Sequence, residues 1–154
     1  MLFRSRLARE LPSLVVNFGT AGSHTLPSGS LVACRAFVQR DMDVTALGFN
    51  QGVTPFDHAP ALLEFPVTLP SLPQHTCSSA DSFETRTATI LGDVLDMEAY
   101  ALAKVCWMES VSFACAKYIT DGADASAAED WRARLPAAAA AFLGLYQTLT
   151  QSRG

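Results

Sequence analysis

Ser13–Phe18 reads SLVVNF and runs straight into Gly19-Thr20-Ala21-Gly22-Ser23. The first six residues form a short apolar run with β-branched valines, the composition of a buried strand. The five small residues after it predict a tight turn beginning at Gly19. A matching pattern recurs far along the chain. Val111–Ile119 (VSFACAKYI) is a second apolar run, closed by Thr120-Asp121-Gly122. Strands of unbroken apolar character are those buried on both faces, in sheets covered by helices.

Working outward, Ser30–Gln39 (SLVACRAFVQ) follows a Pro-x-Gly turn and reads as another strand. Asp41–Pro73 holds five of the eight prolines, which predicts mostly irregular chain with one short strand near Leu62–Phe65. A connection this long in a compact domain is functional or belongs to an interface. Thr76–Phe83 reads as a strand end and turn, and Ala88–Leu91 as a brief helix or connection. Asp96–Met108 carries Met97, Tyr100, Ala101, Lys104, Val105 and Met108 at three- and four-residue spacing, a helical pattern. Glu129–Gln151 is a second helix, in which Pro136 predicts a kink or a late start. Leu7 and Leu11 suit the inward face of a short helix before Pro12. Strands alternating with helices predict an α/β fold with a mostly parallel sheet, in one domain over residues 1–154.

Composition excludes several classes. Of 154 residues, 49% are apolar and 17% charged, so the chain can bury a core. With 11 Lys and Arg against 15 Asp and Glu, nothing basic is left over for a nucleic acid backbone. No apolar stretch approaches the ~20 residues of a membrane span. The arginine-rich first ten residues loosely resemble an organelle presequence but contain no long apolar segment of a secretory signal. Cys34, Cys77, Cys106 and Cys115 show no metal-knuckle spacing and read as buried hydrophobes of a cytoplasmic protein. His24, His58 and His75 are scattered over loops, so neither a metal nor a cofactor is expected.

In parallel sheets, ligands bind beyond the carboxyl ends of the strands. Three polar clusters fall at predicted strand ends: Gly19–Ser23, Asp81–Phe83 and Thr120–Asp124. A fourth, Asp96–Glu98, opens the first helix. Together they describe a pocket of acids, small hydroxyls and an aromatic, joined by no basic group.

These clusters, in this order, resemble the purine nucleoside phosphorylase/nucleosidase superfamily, and most of all its methylthioadenosine/S-adenosylhomocysteine nucleosidase branch. Asn17-Phe18-Gly19-Thr20-Ala21-Gly22 resembles the family's N-x-G-[ST]-A-G turn. Asp41-Met42-Asp43-Val44-Thr45-Ala46-Leu47-Gly48-Phe49 resembles the branch's D-x-D-V-T-x-x-G-[YF] segment. Ser79–Phe83 is similar to S-G-D-x-F, Asp96–Ala99 to [ED]-M-E-[AG], and Ile119–Asp124 to I-[ST]-D-x-A-D. The resemblance implies a three-layer α/β/α fold around a mixed, mostly parallel sheet. It implies a homodimer acting on a small purine nucleoside.

It also implies roles. Asp121 matches the general acid that protonates purine N7, so that the base leaves neutral. Glu98 matches the acid that binds the ribose and stabilises its developing positive charge, with Met97 beside it. Phe83 matches the aromatic stacked on the base, whose edge the Glu84 backbone reads. Thr20 and Gly22 match the turn that approaches the sugar and the attacking water. Trp131 matches an aromatic lining the 5′-substituent pocket, and Phe49 one donated across the dimer interface. Taken singly, each has a plainer role. Met97, Phe83 and Trp131 suit core packing, Asp121 a turn, Asp124 a helix cap, and Asp41 and Asp43 a solvated loop.

Two departures matter. Family members usually carry a further N-terminal portion with the first strands and a water-activating glutamate. The sheet is therefore expected to lack those strands, and Glu10 does not match that acid. Ala80 stands where the family prefers Gly, which would cost ~1 kcal/mol if that position required positive φ. Three readings follow: a nucleosidase, a phosphate-dependent phosphorylase, or a non-catalytic nucleoside-binding relative.

Overall fold

The computed structural model describes residues 11–82 and 92–151. Six strands and two long helices follow in chain order: β1 Leu14–Gly22, β2 Leu31–Gln39, β3 Leu62–Glu64, β4 Gln74–Ser79, β5 Val94–Asp96, α1 Ala99–Met108, β6 Ser112–Asp121 and α2 Ala127–Gln151. The connection at Ala88–Leu91 and all of the helix expected before Pro12 except Leu11 lie outside the described residues; Leu11, expected to face inward, is 64% exposed and in no helix.

The strands form one sheet in the order β3-β2-β4-β5-β1-β6, and β6 also pairs with β2. β2, β4 and β5 run one way, and β1 and β6 run the other. Parallel pairing joins the members of each group. β3 pairs antiparallel with β2, Ala36–Val38 against Leu62–Glu64, and the other antiparallel seams lie where the two groups meet, at Gly22↔Leu95 and along Leu31–Cys34 against Cys115–Tyr118. The expectation of a mixed sheet holds, with more antiparallel contact than apolar runs alone suggest. β1 and β5 overlap only near their tips, so the carboxyl ends of the two groups converge at that seam.

Alternation along β6 separates two cores. Phe113, Cys115 and Ile119 join Phe37, Leu63, Val94 and the buried face of α1: Ala99, Tyr100, Ala103 and Cys106. Ala114 and Ala116 face the other way, toward Leu69, Leu145 and Leu149. Phe142 of α2 stacks on Phe18 of β1 with ring centroids 5.5 Å apart. One helix therefore covers each face, and the layers are helix, sheet, helix. All four cysteines are buried and free.

Three local expectations are corrected. The small residues Gly19–Gly22 do not turn; β1 runs through them to Gly22. Their smallness serves close approach across the ladder. A Cβ on Gly19 would stand 2.7 Å from Lys117 Nζ, and one on Gly22 2.6 Å from Asp121 Oδ1. Asp96 ends strand β5 rather than opening the helix. The helix continues through Pro136 to Gln151, carried by an alanine run of high helix propensity.

Candidate active site

A cavity of about 410 Å³ opens where the carboxyl ends of β1, β5 and β6 meet the first turns of α2. Thr20 and Gly22 line it from β1, and Asp96, Met97 and Glu98 from the end of β5. Thr120 and Asp121 reach it from β6, and Trp131 and Arg132 from α2. Residues from three separated sequence clusters thus share one wall.

Asp121 is buried at 2% exposure. Its Oδ1 accepts the Ala123 N–H at 3.0 Å, and its Oδ2 the Thr120 hydroxyl at 2.7 Å. The first bond depends on a bend: Ala123 takes φ +52°, in the left-handed region, which costs ~1 kcal/mol for a residue with a Cβ. Asp121 is therefore both the acceptor of a local turn and a wall of the cavity. Asp124, two residues after Gly122, accepts the Ser126 N–H at 2.9 Å and shapes the approach to α2. The Ser126 hydroxyl and amide bonds hold its carboxyl below the usual range.

Glu98 occupies the N-cap position of α1 but makes no side-chain cap bond. The first helical amides go elsewhere: Ala99 N–H to Asp96 Oδ2 and Tyr100 N–H to Ser79 Oγ, each at 2.9 Å. The Glu98 carboxylate is thereby left for the cavity. Met97, at 41% exposure, also faces it and is not core. Trp131 lies against it and donates its indole N–H to Thr20 Oγ1 at 3.0 Å. Phe49 does not line the cavity; its half-buried ring packs edge-on against Phe56 at 5.7 Å. Phe83 and Glu84 fall outside the described residues. Ala80 is not among the residues with positive φ, so the strain anticipated there is absent. Its N–H instead donates to Asp96 O.

The expectation that no basic group joins the site is overturned. Arg40 and Arg132 line the cavity. The Arg40 guanidinium donates to the carbonyls of Ser78, Asp96 (3.0 Å) and Ser82 (2.9 Å), drawing three chain segments together. Beneath the floor, Lys117 Nζ meets Asp96 Oδ2 at 2.7 Å, both side chains at 1% exposure. Burial pushes the Asp96 carboxyl up, but the charge of Lys117 and its bonds outweigh this, so the group lies below its usual range. Burial likewise opposes the ammonium, and Asp96 outweighs it, raising Lys117. The signal was present in the sequence: Lys117 is a lone charge inside an apolar strand, on the face of Phe113, Cys115 and Ile119. Such a charge requires a buried partner.

Comparison with known proteins gives concordant results. A family model described as Phosphorylase superfamily matches residues 1–150. A 5′-methylthioadenosine/S-adenosylhomocysteine nucleosidase of Haemophilus influenzae (strain 86-028NP) is 32% identical, over 90% of this chain and 71% of its own. That of strain PittEE is also 32% identical, over 83% of this chain and 65% of its own. The chain thus spans about two thirds of the length of these relatives. Among solved structures, the 5′-methylthioadenosine/S-adenosylhomocysteine nucleosidase of Helicobacter pylori, complexed with a pyrrolopyrimidine-bearing pyrrolidinol, superposes with TM-score 0.86 at 20% identity, covering 97% of this chain and 73% of that one. The futalosine hydrolase of the same organism gives TM-score 0.80 at 22% identity, over 89% and 67%. At these identities the likeness establishes the fold.

Proposed function

Because this chain belongs to the phosphorylase superfamily, we propose that it hydrolyses the N-glycosidic bond of a purine nucleoside, methylthioadenosine or S-adenosylhomocysteine. One observation carries the reading. A buried carboxylate, Asp121, and an uncommitted exposed one, Glu98, come from distant segments to the same cavity, beside the small residues Thr20 and Gly22. That set suits a reaction in which a base must be protonated while a sugar gains positive charge.

In this mechanism the carboxylic acid of Asp121 delivers a proton to purine N7. The C1′–N9 bond lengthens, and the base leaves neutral. The sugar carries oxocarbenium character, which the Glu98 carboxylate at the ribose hydroxyls stabilises more in the transition state than in the ground state. Water attacks C1′ from the Thr20–Gly22 side, forming the C1′–O bond and losing one proton to solvent, from which the Asp121 carboxylate regains the proton it gave to the base. Phe83 stacks on the purine, and the Glu84 backbone reads its edge. Met97 packs beside the sugar, and Trp131 beside the 5′-substituent. No cofactor enters. The whole chain, residues 1–154, acts as one domain in a cytoplasmic homodimer, with Phe49 supplied to the partner's site.

Arg132 refines the substrate. Its exposed guanidinium lines the cavity next to Trp131 and makes no ion pair with the described residues. A cation at the 5′ end favours a substituent bearing a carboxylate, as in S-adenosylhomocysteine. The test is adenine release from both nucleosides by the purified chain, with and without phosphate. Phosphate-independent release is expected. Release only with phosphate would replace hydrolysis by phosphorolysis, and no release from folded protein would end the catalytic reading.

A further inference from the structure

The mechanism above uses neither Lys117 nor Ser79, yet both are buried against the segment that presents Glu98. We propose that Asp96, gripped by Lys117 and Ser79, is a positioning residue that fixes the Met97–Glu98 turn and so aims the Glu98 carboxylate at the ribose diol. The inference rests on the reading of Glu98 as the ribose-binding acid.

The geometry is that of a hub. Asp96 Oδ2 accepts Lys117 Nζ at 2.7 Å and the Ala99 N–H at 2.9 Å. Asp96 Oδ1 accepts the Ser79 hydroxyl at 2.5 Å, and Ser79 Oγ in turn accepts the Tyr100 N–H at 2.9 Å. The Asp96 carbonyl takes the Arg40 guanidinium at 3.0 Å and the Ala80 N–H at 3.2 Å. The chain is therefore pinned immediately before Met97, at Asp96, and immediately after Glu98, at Ala99 and Tyr100. Only two residues lie between the anchors, and both point exposed side chains at the cavity.

A helix cap alone would not call for this arrangement. A Ser or Asp caps a helix without a buried lysine, and bringing an ammonium to 1% exposure carries a desolvation penalty that a cap does not require. What the lysine adds is a fixed anchor from another strand. β6 carries both Lys117 and Asp121, four residues apart, so the ribose acid and the base acid are referenced to one rigid element. Relative placement of two catalytic groups is where small displacements reduce rate most.

The test uses binding, which survives loss of turnover. The ligands are a C-nucleoside analogue of adenosine, whose carbon glycosidic bond cannot be hydrolysed, and its 2′,3′-dideoxy counterpart. The parent chain should prefer the diol. Ser79→Ala should weaken the diol-bearing ligand about tenfold, as expected for a misaimed charged hydrogen bond, and leave the dideoxy ligand within about twofold. In a Glu98→Gln background the same change should add little. Equal weakening of both ligands, or no weakening, would overturn the proposal. A parent chain that shows no preference for the diol would instead overturn the reading of Glu98, and the inference with it. Should Ser79→Ala fail to fold by circular dichroism, the double variant Asp96→Asn/Lys117→Met removes both charges together and leaves no unpaired ion. Retained diol preference in it would equally overturn the proposal.

Discussion

Gly22 and Asp121 are partners across the parallel β1–β6 pair, and a methyl group on Gly22 would stand 2.6 Å from Asp121 Oδ1. The glycine thus holds open the space in which the buried carboxylate sits. Ala123 closes that space from the other side, with its Cβ 3.1 Å from where that methyl group would be. Gly22→Ala must therefore move Asp121. The expected result is a loss of about 10²-fold in kcat, since displacement of a reacting group by ~1 Å has that effect. The accompanying stability loss should be about 1–3 kcal/mol, as for other overpacked sites. Steady-state base release and a urea midpoint measure the two separately, and full activity would show that the carboxylate position is not critical.

Asp121→Asn keeps the shape of the side chain and removes the proton it delivers. It should lower kcat by about 10²–10⁴-fold while nucleoside affinity stays within a few-fold. Equilibrium binding beside single-turnover kinetics separates the two. Equal loss of affinity and rate would assign Asp121 to the turn it forms with Ala123 and Thr120.

Arg132 and the 5′-substituent make a comparison between two substrates. Arg132→Gln should raise KM for S-adenosylhomocysteine about threefold to fivefold, the range for a partly solvated ion pair. KM for methylthioadenosine, which carries no carboxylate, should stay unchanged. Parallel changes in both would place the guanidinium in the scaffold rather than against the substrate.

The Asp96–Lys117 pair sets a pH dependence of stability. In the folded chain Asp96 lies below its usual 3.8, so its contribution is present above that pH and is lost as pH falls through the folded-state pKa. Lys117 lies above its usual 10.5, so its contribution is complete below that pH and is lost as pH rises through the folded-state value. The pair therefore supports the fold across the range between. Lys117→Met leaves a buried carboxylate alone and should cost about 3–5 kcal/mol at pH 7. Protonation relieves that carboxylate, so the gap to the parent should narrow as pH drops toward about 5. Urea unfolding at both pH values tests this, and a gap that widens on acidification would contradict it.

Much of the fold was legible locally. The apolar runs at Leu31–Gln39 and Ser112–Asp121 are strands, and the helical spacing after Glu98 is a helix, because burial imposes its period on composition. Part of the cavity lining was legible in three of the five motifs, which brought Thr20, Gly22, Met97, Glu98 and Asp121 to notice; Trp131 was noticed by its spacing, ten residues after Asp121. Other features resisted. β5 has three residues, too few to show a period. Gly19 and Gly22 suggested a turn, because glycine's freedom is visible in a sequence and the neighbour it must admit is not.

Local composition is enough to show which segments are apolar enough to be strands and which residue types are offered for chemistry. Folding in three dimensions is what joins two oppositely directed groups of strands in one sheet, brings Lys117 to Asp96 twenty-one residues away, and carries Arg40 and Arg132 into the cavity. Strand register and the pairing of buried charges are non-local. They are settled by which side chains fit across a ladder and which ions can share one dry interior, and no window along the chain contains both partners.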